Sequence, residues 1–450
     1  MDKRTFLKTS AAVVAGGLLS PLAACRSEEM AAPRTNWAGN LTYSAETLHL
    51  PGSVEEAREI VRNSSTVRPL GSRHCFNTIA DSPVSQISLG RMNGVVELDE
   101  ASNQVTVESG ILYGDLSTYL HERGYAVHNL ASLPHISVAG AIATATHGSG
   151  VANGNLATPV SAIEFIDARG DLHTLTRDDD AFSGAAVHLG GLGVITRITL
   201  DVEPTFDVVQ HVYLDLPRAA LGDHFDEIMS SGYSVSLFTD YQSDTVNQVW
   251  VKRRADEAAG DDEPAEADFF GARPATRNVH PIIEISAENC TEQMGVPGPW
   301  HERLPHFRMW FTPSSGTELQ AEYFIPREAA SEALQLLYEM GDRLDPILMI
   351  SEVRTIAADD LWMSTAYGRD SVAVHFTCEQ DWEALQQILP VIEEALAPYE
   401  PRPHWGKMFT LPRTQLQSRY ERLADYRELV RQYDPDGKFR NAFLEETVWS

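Results

Sequence analysis

Positive charge is what this 450-residue sequence has least of: 35 Lys and Arg stand against 64 Asp and Glu, for a net charge of -29. Holding a nucleic-acid backbone needs clustered Lys and Arg, so nucleic acid is excluded as a partner. The excess acid reads as a solvated acidic surface. Cysteine is scarce as well: Cys25, Cys75, Cys290 and Cys378 are all there are, and no C-x-x-C or Cys/His cluster has metal spacing. That argues against a bound metal and, with Cys25 set aside for the reason given below, leaves room for at most one disulfide. The other three read as buried thiols. No strand–G-x-G-x-x-G–helix unit occurs; Gly148, Gly150 and Gly154 give the spacing G-x-G-x-x-x-G, which excludes a doubly wound nucleotide fold. No internal repeat is visible. Against these absences, 43% hydrophobic and 22% charged residues are globular values, and the length suffices for two or three domains with real cores.

Residues 1–25 read as an export signal rather than as part of the fold. Lys3, Arg4 and Lys8 form a basic start, and Thr9–Ala24 is a mildly apolar, Ala/Gly-rich run too short and weak to span a bilayer. Lys3-Arg4-Thr5-Phe6-Leu7-Lys8 resembles a twin-arginine signal with lysine in place of the first arginine. Leu22-Ala23-Ala24-Cys25 resembles a bacterial lipobox, whose cysteine is acylated. The expectation is an exported bacterial protein, facing periplasm or exterior, that meets the membrane only through a lipid on Cys25. Residues 26–35 read as a tether.

Beyond it, short strands and helices alternate. Ser53-Val54-Glu55-Glu56 is a capping box opening an amphipathic helix with Val54, Ala57, Ile60 and Val61 on one face. Val67–Leu70 and Gln104–Glu108 read as strands, Leu112–Arg123 as a helix, and 163–166 with 172–175 as a hairpin around Asp167-Ala168-Arg169-Gly170-Asp171. Gly193 leads into the strand Val194–Leu200. Pro204 marks a boundary, after which Val208–Leu214, Ser234–Thr239 and Gln248–Lys252 read as strands of a second sheet. Residues 254–280 are acidic and Ala/Pro-rich and read as a surface insertion. Ala329–Gly341, Trp382–Leu396 and Gln415–Tyr433 read as helices. The fold class is α+β. The division is a domain over 36–203, a second over 204–413 with a mainly antiparallel sheet covered by helices, and a C-terminal segment 414–450 returning to the first. A monomer is expected.

Two stretches carry chemistry. Gly71-Ser72-Arg73-His74-Cys75-Phe76-Asn77 follows a strand and sets a histidine in a turn whose glycine lets an anion approach backbone N–H groups. A lone loop histidine is structural more often than not. It is paired, however, with the long uncharged stretch 133–154, which contains Ser137, Gly140, Thr144, His147, Gly148, Ser149 and Gly150. Together these resemble the two FAD-holding loops of the vanillyl-alcohol-oxidase superfamily. Further blocks place the resemblance in its aldonolactone oxidase branch: Ala131-Ser132-Leu133-Pro134-His135, Asn289-Cys290-Thr291-Glu292-Gln293, Glu352-Val353-Arg354, Val374-His375-Phe376-Thr377 and His404-Trp405-Gly406-Lys407. It runs over nearly all of residues 36–446.

The resemblance implies a two-lobed PCMH-type FAD-binding domain, with FAD bonded covalently to His74 through its 8α-methyl. It implies cofactor contacts from Gly71, Ser72, Arg73, Asn77, Ser137, Gly140, Thr144, His147, Gly148, Ser149, Gly150 and Val194. It also implies a polyol pocket of Ser132, Gln320, Glu352, Arg354, Thr377 and Lys407, hydride transfer from a terminal alcohol of an alditol to flavin N5, and oxygen as the acceptor, giving hydrogen peroxide. Where the family commonly has serine, this chain has Cys75. The chemistry asks for such residues on its own terms: Lys407 and Arg354 are cations suited to a developing alkoxide, and Ser132, Glu352 and Thr377 can bind further hydroxyls. Glu352 between two cations would stay ionised and orient substrate. The proton acceptor is His375 or solvent.

Blander readings stand beside these. Glu352 and Arg354 alternate on a strand and could be a plain surface ion pair. His404 and Trp405 could be packing, His135 and His147 satisfied loop histidines, and His301 and His306 pocket residues or neither. Rival functions are an aldonolactone oxidase or dehydrogenase of the same superfamily, and an exported sugar-binding lipoprotein without flavin.

Overall fold

In a computed structural model, residues 34–256, 268–309, 311 and 317–449 are described. The export signal, Cys25 and nearly all of the tether lie outside them. Residues 35–450 form one compact unit. No helix among the described residues is long and apolar enough to cross a membrane. Two sheets matter most. A five-stranded antiparallel sheet runs Val95–Asp99, Gln104–Glu108, Val194–Asp201, Val160–Ile166, Leu172–Thr176 in spatial order. A nine-stranded antiparallel sheet has the strands Asp207–Pro217, Thr245–Arg254, Ser234–Thr239, Leu348–Ile356, Ser371–Glu379 and Glu318–Pro326 as its centre. A small parallel sheet sets Ser85–Ile87 between Thr47–His49 and Arg68–Pro69.

The large sheet is buried on both faces, and period-two alternation divides them. Leu319, Ala321, Tyr323 and Ile325 of one strand, with Val353, Val372, Val374 and Phe376 of its neighbours, pack against the helices Arg218–Met229, Ala330–Glu339 and Trp382–Leu396. Of the alternate positions, Glu318, Gln320, Glu322, Glu352, Arg354, His375 and Thr377 face the cavity described below, while Phe324 and Ala373 pack in a small apolar cluster. Leu334, Leu337, Ile388 and Ile392 all turn into this core, and Leu337→Ala there would cost about 2–5 kcal/mol. The five-stranded sheet packs Val105, Val107, Ile163, Phe165, Ile198 and Leu200 against Tyr113–His121, Val138–Ala143 and Leu423–Tyr433.

Local rules explain most boundaries. Ser53 Oγ accepts from Glu56 N at 3.3 Å, as an N-cap should, whereas Glu56 reaches one residue further back than a capping box, to Gly52 N at 2.7 Å. Two expectations need correction. The helix expected over Gln415–Tyr433 is two, Arg413–Ser418 and Leu423–Tyr433. The break lets Tyr420 pack on Trp405, with ring centroids 4.8 Å apart, and gives the Arg419 carbonyl to Arg402 Nε at 3.0 Å. The insertion expected over 254–280 begins too early and ends too late. Arg254 closes a strand, Arg273–Pro274 pairs with the strand Asp207–Pro217, and Phe269, Ala272, Ala275 and Val279 are buried.

Candidate active site

A cavity of about 410 Å³ runs between the two loops and the polar face of the large sheet. One part is walled by 68–75, 87–90, 188–190 and 194–195, the other by the polar side chains of the sheet and the loop His404–Lys407. The two loops meet glycine to glycine: a Cβ on Gly71 would lie 2.7 Å from Ser137 Oγ, and one on Gly140 2.8 Å from the same atom. Ser72 and Ser137 exchange hydrogen bonds, Ser72 N to Ser137 Oγ at 3.3 Å and Ser137 N to Ser72 Oγ at 3.1 Å. Arg73 adopts the left-handed φ of 65° that turns the chain there, and its Nη1 donates to Thr35 O.

His74 sits at the turn of this loop, its ring 4.4 Å from that of Trp37 and 5.1 Å from that of His135. Its buried Nδ1 has no hydrogen-bond partner among the described residues. Burial, helped by His135 and Lys407, pushes its pKa down to about 3, so it is a neutral imidazole with a lone pair. A glycine-walled channel ending at such a nitrogen fits the flavin dinucleotide that the resemblance implies. Ser132, Ser137, Gly140, Thr144, His147 and Val194 line the same cavity.

Four of the expected cofactor residues are elsewhere. Asn77 does not line the cavity; its Nδ2 donates to Trp405 O at 2.8 Å and Lys407 O at 2.7 Å. With Phe76 N on Gly406 O at 2.7 Å, it clips the His74 loop to the loop bearing Lys407. Gly148, Ser149 and Gly150 also lie off the cavity. Gly148 abuts the Asn129 amide, Ser149 Oγ donates to Val235 O, and Gly150 N donates to Thr355 O at 2.9 Å. These small residues allow close packing against Asn129 and the large sheet.

On that sheet, register collects the cavity-facing side chains in two rows, polar except for Phe238 and Ile350. Phe238, Glu352, His375 and Glu322 are successive cross-strand partners, and Ile350, Thr377 and Gln320 form the next row. Arg354 donates through Nε and Nη2 to the Glu352 carboxylate and through Nη2 to Ser132 Oγ. His306 Nε2 lies 2.7 Å from Glu352 Oε1. Burial alone would raise the Glu352 pKa; Arg354 and His306 outweigh it and hold the carboxyl well below the usual range. Glu352 and Arg354 are therefore a buried pair at the cavity, not a surface one.

Lys407 and Arg354 do not share one carboxylate. Lys407 Nζ pairs with Glu322 Oε2 at 2.9 Å, while His147 Nε2 holds Glu322 Oε1 at 3.2 Å. Burial pushes the Lys407 pKa down and Glu322 opposes the fall. Glu322 was missed in the sequence, as was Glu318, though both sit at two-residue spacing from Gln320. Glu318 Oε1 accepts from Gln320 Nε2 at 2.5 Å, which leaves Gln320 Oε1 for His375 Nε2 at 3.1 Å. His375, pushed by burial and Lys407 to about 3, is neutral, and donation from Nε2 leaves Nδ1 as its lone-pair atom. Of the open histidines, His147 is satisfied but grips Glu322, and His306 joins Glu352. His135 has neither ring nitrogen bonded among the described residues, and His301 lies off the cavity. Trp405 is packing; His404 lines the cavity.

Comparison with known proteins agrees with this geometry. A family model described as FAD binding domain matches residues 45–176, and one described as D-arabinono-1,4-lactone oxidase matches 306–447. The chain is 47% identical over 417 residues to the alditol oxidase of Streptomyces sp. (strain IKD472 / FERM P-14339), covering 92% of this chain and 98% of that protein. It is 28% identical over 431 residues to an L-gulono-1,4-lactone dehydrogenase of Mycobacterium tuberculosis, with the same coverage of 92% and 98%. Among solved structures, a cholesterol oxidase from B. sterolicum superposes with a TM-score of 0.75 at 12% identity, covering 92% of this chain and 96% of that one. That likeness shows the fold, and with the FAD binding domain matched over 45–176 it gives a PCMH-type FAD-binding architecture.

Proposed function

The chain belongs to the alditol oxidase family of FAD-dependent oxidoreductases, and from that premise we propose that it oxidises a terminal primary alcohol of an open-chain alditol of the xylitol or sorbitol type to the aldose, with oxygen as final acceptor and hydrogen peroxide as the second product. The observation that carries this is the pair of separate ion pairs, Arg354–Glu352 and Lys407–Glu322, flanked by Ser132, Gln320 and Thr377 on one cavity wall. An extended polyol offers a hydroxyl to each of these groups in turn. Bound FAD supplies the acceptor for the hydride leaving the carbinol carbon.

The chain's own residues do the rest. Lys407 sets an ammonium where oxygen charge develops as the hydroxyl loses its proton, and Glu322 keeps that ammonium charged and in place. His375, whose pKa is pushed down to about 3, is a weak base, so the hydroxyl proton passes to solvent. Glu352, held ionised by Arg354 and His306, and Ser132, held by Arg354, fix the remaining hydroxyls, so that the step is effectively unimolecular. In this reading the FAD is joined to His74, supported by the neutral, unpartnered Nδ1. The protein is exported and lipid-anchored at Cys25, supported by the basic start and Leu22-Ala23-Ala24-Cys25. The match of 306–447 to a lactone oxidase model favours a second reading, an aldonolactone as substrate. Steady-state peroxide production with C4–C6 alditols and with aldonolactones separates them: turnover with alditols, one peroxide per aldose formed, supports the first, and turnover with lactones alone replaces it by the second.

A further inference from the structure

Lys252 is a lysine at 1% exposure that does not line the cavity and takes no part in the chemistry above. It stands on the strand Thr245–Arg254, opposite Ser234, on the same face as the polar rows. Its Nζ has three acceptors around it: Leu304 O at 2.5 Å, Pro305 O at 3.4 Å and His306 Nδ1 at 3.3 Å. An ammonium has three N–H groups and no lone pair, so this cage matches it donor for acceptor. The contact with His306 has a consequence. An Nδ1 that accepts from Lys252 carries no proton, so the ring's proton is on Nε2, aimed at Glu352 Oε1 at 2.7 Å. Glu352 in turn holds Arg354, whose Nη2 holds Ser132.

We propose that Lys252 is a positioning residue for the alcohol pocket: by donating to His306 Nδ1 it fixes the imidazole as an Nε2–H donor, and thereby holds the Glu352 carboxylate, Arg354 and Ser132 in the arrangement that receives substrate hydroxyls. Without Lys252 the Glu352 carboxylate alone would select Nε2–H, and Nδ1 would be left a buried acceptor with no donor; a ring that shifts to satisfy it withdraws one of the donors to Glu352. Burial and Arg354 push the Lys252 pKa down to about 7, while Glu352 and Cys290 oppose the fall, so the three-donor ammonium is the form present below that pH. His306, lowered by burial and Lys252 to about 4, is neutral and has one ring proton to place.

The test is a double-mutant cycle on flavin-loaded protein, and it rests on the alditol reading above. Lys252→Met should raise the KM for the alditol on the order of tenfold, with kcat within about threefold. In a Glu352→Gln background the same substitution should change KM by less than about twofold, because the residue it acts through is already gone. If Lys252→Met does not accumulate, Lys252→Gln takes its place in the cycle. A wild-type KM in the flavin-loaded variant overturns the inference, as does an equal rise in both backgrounds. Wild-type protein whose flavin no alditol reduces would instead overturn the alditol reading. The cycle is then run with whichever lactone does reduce it, and the same outcomes apply.

Discussion

Glu322→Gln is the perturbation whose size can be worked from the structure most fully. The carboxylate lies 2.9 Å from Lys407 Nζ in a buried site. At an effective dielectric of about 20 that attraction is worth about 6 kcal/mol in favour of the charged form of Lys407. A glutamine keeps a carbonyl dipole towards the ammonium, so only part of that attraction is lost. The sign is downward: burial already lowers the Lys407 pKa and Glu322 opposes it. Removing Glu322 therefore makes Lys407 lose its proton at a lower pH. The variant should reduce its flavin about 10²-fold more slowly than wild type at alkaline pH, and regain part of the deficit on acidification. Anaerobic stopped-flow across pH 5.5–9 reads this directly. A flavin-loaded Glu322→Gln protein with the wild-type pH profile would refute the assignment of Glu322 as the group that keeps Lys407 charged.

Lys407→Met should slow anaerobic flavin reduction by xylitol by on the order of 10²–10³ while changing xylitol binding far less, as single-turnover traces over substrate concentration will show. His74→Ala should give protein whose yellow colour leaves on acid precipitation, whereas wild-type colour stays with the pellet. Asn77→Ala strips the donor from two carbonyls, Trp405 O and Lys407 O, and should cost about 1–3 kcal/mol, measured by chemical denaturation of the loaded protein. Cys25→Ser should move the protein from the membrane fraction to the soluble one; unchanged fractionation removes the lipid anchor.

Much of this site was legible because the chemistry sits in short contiguous blocks. The turn around His74, the Glu352-Val353-Arg354 alternation and the His404–Lys407 loop each show their residues at close spacing, and all converge on one cavity. What was misread depended on partners distant in sequence. Gly148–Gly150 have the small-residue look of an anion loop, but their neighbours are Asn129, Val235 and Thr355. Asn77 looked like a ligand-facing amide and is spent on carbonyls more than 300 residues later. Glu322 was within reach: once Gln320 is placed in the pocket, strand periodicity puts Glu318 and Glu322 on the same wall. Lys252 was not, since nothing local marks a strand lysine as buried. The insertion was overextended because low complexity in 257–267 coloured its flanks, where Phe269 and Val279 in fact reach the core.

Anaerobic mixing of the oxidised, flavin-loaded protein with xylitol, sorbitol and D-arabinono-1,4-lactone tests the central claim most directly. The flavin absorbance should bleach with the two alditols, saturating with concentration, and return when oxygen is admitted. Bleaching by the lactone with no response to any C4–C6 alditol would contradict it.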